Sequence, residues 1–222
     1  MMTNLFSIFD PSSSNNFSFN WISTMSIIFF IPYTYWVIPS RIHLLWFTIT
    51  KYLLLELNSL FLSNKLKFIF FFATLFWFIL SNNFLGLFPY IFTSTSHINL
   101  TTLLAIPSWL TLMLYGWINQ TNHMFTHLVP VGTPMPLSMF MVMIETISNL
   151  IRPVTLAVRL SANMISGHLL LCLLSNIMEK LPNLFLIILP LMMILLMLEM
   201  AVAIIQSYVF ITLSSLYLNE LN

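Results

Sequence analysis

Glu145, Arg152 and Arg159 fall within one long apolar stretch of the sequence, and Glu199 falls within the next. The first three recur every seven residues, a spacing that returns to nearly the same face of an α-helix after two turns. Asn163, four residues beyond Arg159, extends that face, and Ser148 and Asn149 lie close to it. The result is one polar stripe on an otherwise apolar helix. Glu145 and Arg152 would be about 10.5 Å apart along the axis, too far to neutralise one another directly. Glu199 and Gln206 are also seven apart and share a face with Ala203. His168, nine residues after Arg159, lies about 180° around the helix from it. An imidazole, with an ordinary pKa of about 6.5, and a carboxylate can both take up and release protons. A guanidinium stays charged. Titratable groups separated by a permanent positive charge suit a proton path that must not run straight through. The alternative for these charges is a structural ion pair with another helix. Arg152, which precedes Pro153, could equally fix a kink or bind a lipid headgroup.

The setting gives those charges their weight. Of 222 residues, 59% are hydrophobic and 6% charged, whereas a soluble domain carries about 25% charged residues. Lipid must therefore be the solvent for much of the exterior. A charge at the bilayer centre costs about 2.5 to 3.5 kcal/mol even on a lenient insertion scale, so intramembrane Glu and Arg are functional candidates by default.

Other chemistries find little support. A net charge of +1 without a basic run offers no footprint for nucleic acid. Gly86, Gly116, Gly132 and Gly167 are scattered, so no glycine-rich loop cradles a phosphate, and nucleotide binding would be left to partners. Cys172 is the single cysteine; it forms no intrachain disulfide and reads as a core residue. His123 and His127 have the i, i+4 spacing of metal ligands, but no third ligand accompanies them. They read as interfacial polar residues, as do His43 and His97. No metal and no cofactor is expected. Paired haem-ligating histidines are missing, and so are the internal repeats of a secondary transporter.

The elements that must position these residues follow from length. A spanning helix needs about 20 mostly apolar residues. The sequence predicts an all-α integral membrane protein, a single polytopic domain over residues 1–222, with about five membrane crossings plus an interfacial helix. Residues 1–20 form a polar N-terminus without the pattern of a transit or signal peptide. Residues 21–38, 68–88 and 98–118 read as spans, kinked at Pro32 and interrupted at Pro107 in the first and third. Residues 43–62, with Lys51 and Glu56, read as the interfacial helix, with a short extra span as the alternative. The stretches 136–178 and 183–218 would be about 64 and 54 Å long as helices, against a hydrocarbon core of about 30 Å. Two long, steeply tilted helices forming a hairpin are predicted. Arg41, Lys51, Lys65 and Lys67 cluster between the first two spans, which places that segment on the inner side. The N-terminus then faces outward and the C-terminus inward.

The run Glu145-Thr-Ile-Ser-Asn-Leu-Ile-Arg-Pro, continuing as Thr155-Leu-Ala-Val-Arg-Leu-Ser-Ala-Asn-Met-Ile-Ser-Gly-His168, resembles the signature of the subunit a family of F-type ATP synthases, in its animal mitochondrial form. Glu199-Met-Ala-Val-Ala-Ile-Ile-Gln-Ser-Tyr-Val-Phe with Ser215-Leu-Tyr-Leu is similar to that family's last helix. Asn83-Phe-Leu-Gly-Leu-Phe-Pro-Tyr90 and the following Phe92-Thr-Ser-Thr-Ser-His97 resemble its middle span. The resemblance implies that Arg159 is the essential arginine facing the carboxylates of a rotating c-ring, with Gln206 beside it. It implies that His168 and Glu199 serve the outer half-channel, that Glu145 is the acid of the matrix-side half-channel, and that Asn163 lies beside the path. Bacterial relatives exchange the acid and the histidine, which fits neighbouring groups. Ser161 and Ser166 depart slightly from the family pattern. The implied function is a proton-translocating stator subunit, not catalytic by itself, in the mitochondrial inner membrane. Its implied partners are the c-ring, other membrane-sector and peripheral-stalk subunits, lipid and protons.

Overall fold

The computed structural model describes residues 5–14, 17–30, 32, 36–60, 66–129 and 134–220. Every regular element among them is helical. Two 3-10 segments, Leu5–Phe9 and Phe19–Ser26, precede a single α-turn, α1 (Ile27–Phe30). There follow α2 (Arg41–Leu60), α3 (Leu66–Gly86), α4 (Ile98–Asn119), α5 (Thr121–His127), α6 (Met135–Lys180) and α7 (Phe185–Glu220). Four of these, α3, α4, α6 and α7, are long and apolar enough to cross a membrane. The stretch 21–38 begins as 3-10 rather than α-helix, and positions 31 and 33–35 of that expected span lie outside the described residues. Lys65 and the side chains of His123 and His127 also lie outside them.

Each of the two long apolar stretches is one helix. α6 runs for 46 residues through Pro153 and α7 for 36 residues through Pro190. Their lengths, about 69 and 54 Å, exceed a core of about 30 Å, so both must tilt to keep their apolar length in lipid. A proline in a helix removes one N–H and crowds the carbonyl four residues earlier. Neighbouring helices can re-satisfy such a gap within a membrane, and Pro153 is buried against them. Leu181 donates its N–H to the Ile177 carbonyl (3.0 Å), closing α6, and the 3-10 turn Pro182–Leu184 starts α7. The two helices thus form the expected hairpin.

The core is a layer between α3, α4, α6 and α7. Phe72 and Ile79 of α3, Ala105 and Leu112 of α4, Leu156, Ala157 and Leu160 of α6, and Phe210 and Ile211 of α7 meet there. α2 joins by stacking Trp46 on Trp77 of α3, with ring centroids 3.8 Å apart. Elsewhere large apolar side chains point outward, Leu186, Ile187 and Ile194 of α7 among them. In water this would be a liability; in lipid it is the normal exterior.

Two contacts fix which helix ends lie together. Trp21 packs on Phe92 and His97, with centroids 5.4 and 5.2 Å away, so the N-terminal segment sits beside the α3–α4 connection. Asn219 Nδ2 donates to the Leu60 carbonyl, which ties the end of α7 to the end of α2. The molecule therefore has two poles, with the described parts of the N-terminal and C-terminal regions at opposite ones.

Candidate functional site

α6 buries Pro153, Leu156, Ala157, Leu160, Ser161, Met164 and His168, a stripe at spacings of three and four that marks its inner face. On α7 the buried seam holds Glu199, Ala203, Ser207, Phe210, Ile211 and Ser214. Where these seams meet, His168 Nε2 lies 3.8 Å from Glu199 Oε1, with side chains 10% and 4% exposed. That separation is longer than a hydrogen bond. Neither His168 Nε2 nor either Glu199 carboxylate oxygen has a hydrogen-bond partner among the described residues. Buried polar atoms left so cost about 1–3 kcal/mol each, a cost that a packing role alone does not explain.

Two neighbours shape this pair. Phe9 of the first 3-10 segment presents its ring nearly perpendicular to His168, at 6.4 Å between centroids. Gly167 lies against Glu199: a Cβ placed there would come within 2.8 Å of Glu199 Cδ, and closer still to Oε1.

Arg159 is placed differently. It is off the buried stripe and exposed. Arg159 and Gln206 line one small cleft between α6 and α7, together with Leu156, Leu160, Val209 and Phe210. Asn163, one turn on, is half-buried. Arg152 sets its guanidinium 4.7 Å from the centre of the Tyr217 ring of α7, a cation–π contact. Glu145 is half-buried near the opposite pole of α6, about 34 Å along the axis from His168.

The structure thus brings together His168 with Glu199 and Arg159 with Gln206, and leaves Glu145 far from both. Among the described residues no group of three or more His, Cys, Asp or Glu is placed to hold a metal. Sequence reasoning missed Phe9, Gly167 and the buried polar turn 93–96. The Ser/Thr run beside Asn82 and Asn83 carried a signal, because so many hydroxyls bordering an apolar span are unusual.

Residues 3–219 match the profile of the family described as ATP synthase A chain. The chain is 58% identical to ATP synthase subunit a of Drosophila melanogaster, over the whole length of both. It is 57% identical to that of Anopheles gambiae, again over the whole of both, and 56% identical to that of Locusta migratoria over 99% of each.

Proposed function

The chain belongs to the ATP synthase A chain family, and from that premise we propose how its two long helices carry protons to and from a ring of carboxylates. It is the proton-translocating subunit of the ATP synthase membrane sector. Its partners include other membrane-sector subunits, and the one that matters for the mechanism is the c-ring. The chain itself makes no covalent bond.

The observation that carries the reading is the contrast between two environments on one hairpin. Arg159 stands on the outward face of α6 beside Gln206, while His168 and Glu199 are sequestered between α6 and α7. A proton from the outer side enters through the His168–Glu199 pair and reaches a ring carboxylate. The neutral carboxyl can then turn into lipid. After nearly a full turn it meets Arg159, whose fixed charge favours the ionised carboxylate, and the proton leaves past Glu145 toward the matrix. Asn163 stands one turn from Arg159 on the side toward His168, beside the path on the outer side of the arginine. Because Arg159 cannot give up its own proton, it separates the two half-channels instead of joining them.

The orientation follows from the two poles. α2 ends, and α3 begins with Lys67 in its first turn, at the pole that also holds the end of α7. Basic residues favour the inner side, so this pole faces the matrix of the mitochondrial inner membrane and the N-terminal pole faces the intermembrane space. α2 reaches this pole at Leu60 and from there runs along α3, where Trp46 stacks on Trp77.

Arg159→Ala tests the reading. The intact complex reconstituted in vesicles should lose ATP-driven proton pumping while its catalytic head still hydrolyses ATP; normal pumping would remove Arg159 from the mechanism. His168→Ala and Glu199→Ala should each slow proton entry more mildly, and full activity in both would take the pair out of the relay.

A further inference from the structure

The α3–α4 connection does not stay at the surface. Thr93, Ser94, Thr95 and Ser96 are all buried, and so are Asn82 and Asn83 in the last turn of α3. The turn Ser94–Ser96 packs against both α3 and α6. Most polar atoms here find partners. Thr93 Oγ1 and Ser96 Oγ are 3.1 Å apart, Ser94 Oγ donates to Asn82 Oδ1 (3.4 Å), and Asn82 Nδ2 donates to the Phe78 carbonyl (2.9 Å). Asn83 Nδ2 reaches across to the Ala203 carbonyl of α7 at 3.5 Å. Ala203 lies one turn from Glu199 on the same buried seam.

Two groups are left over. Asn83 Oδ1 and Thr95 Oγ1 have no hydrogen-bond partner among the described residues, although each residue is only 1% exposed. A turn that merely capped two helices would use its hydroxyls on its own backbone, as Ser96 does on the Thr93 carbonyl. That account leaves Asn83 and Thr95 unexplained. Buried groups in this condition are ordinarily met by ordered water. The cluster also sits at the pole where Phe9 meets His168 and Trp21 meets Phe92.

We propose that Asn83 and Thr95 are positioning residues of the outer half-channel, whose amide oxygen and hydroxyl orient the waters through which protons reach Glu199. This rests on the reading of Glu199 as a relay acid. The transfer balances at every step: a water accepts one proton on a lone pair and releases another from an O–H bond. Thr95 can do the same through its hydroxyl, the Asn83 amide oxygen only accepts a hydrogen bond, and Glu199 gains one proton and gives one on to the ring.

Thr95→Val and Thr95→Ser separate this from a structural role. Valine keeps nearly the same volume without the hydroxyl; serine keeps the hydroxyl. The assay is ATP synthesis by the intact complex in vesicles, driven by an acid jump, at several outer pH values. Thr95→Val should leave the amount and heat resistance of the complex nearly unchanged, because the Thr95 hydroxyl bonds no protein group among the described residues. Synthesis at limiting outer proton concentration should fall by about fivefold, the size expected for one lost hydrogen bond, and recover as protons become saturating. Thr95→Ser should keep the parent's rate, and Asn83→Leu should lower synthesis as Thr95→Val does but also lower heat resistance, because its amide N–H to the Ala203 carbonyl is lost. The proposal is overturned if Thr95→Val works as well as the parent. It is equally overturned if Val and Ser impair alike, or if activity falls only in step with the amount of complex. Glu199→Gln is the reference: full activity there would sink the relay reading itself, whereas a loss there alongside an unaffected Thr95→Val would sink only the present inference.

Discussion

A methyl group at position 167 would collide with the Glu199 side chain, and what it meets first is the carboxylate end. That end is flexible, so Gly167→Ala should displace the carboxylate from His168 and leave the helices in place. The expected result is an assembled complex whose proton-driven ATP synthesis is reduced. Glu199→Asp, shorter by one methylene, should recover part of the activity when combined with Gly167→Ala, and the coupling can be measured as a double-mutant cycle. Strictly additive losses would show that the two side chains do not share space. Charge made His168, Glu199 and Arg159 legible in the sequence, since ionisable groups in apolar stretches are conspicuous. Gly167 and Thr95 carry no charge. Their importance lies in what packs across from them, which spacing along one helix does not encode.

Seven-residue periodicity put Glu145, Arg152 and Arg159 on one stripe, yet the structure gives each a different setting. Periodicity fixes the angle around a helix and says nothing of which neighbour covers it. α7 supplies the difference: its Tyr217 ring takes up the Arg152 guanidinium, while Arg159 remains exposed. Arg152 therefore ties α6 to α7 instead of confronting a ring carboxylate. Tyr217→Phe, which preserves the aromatic face, should leave the heat resistance of the complex nearly unchanged. Tyr217→Leu should lower it, since a cation–π contact contributes about 0.5–2 kcal/mol. Equal behaviour of Phe and Leu would mean that the ring face contributes nothing there.

At the scale of the molecule, the helical class and the long hairpin could be read from hydropathy and length alone. The start of the chain could not. Apolar composition over 21–38 suggested a spanning helix kinked at Pro32, whereas Phe19–Ser26 is 3-10 and packs Trp21 on the α3–α4 connection. Aromatic contacts between distant parts of the chain override local propensity there. The two poles give an orientation that labelling can check. After Cys172→Ser, a cysteine at Ser13 should react with a membrane-impermeant maleimide only from the outer side, and one at Ser59 only from the matrix side. Labelling of both from one side would refute the assignment. One more property follows from α6 being unbroken across Pro153. A continuous rod works as a gauge: each residue adds about 1.5 Å of advance and 100° of turn. Inserting one residue between Arg159 and His168 would swing every group beyond it to the wrong side, whereas four would bring them round to within about 40° of their original bearing, merely one turn further on. Tolerance to insertions along this rod should therefore rise and fall with the helical repeat, as it would not if the same groups hung from separate, independently hinged pieces.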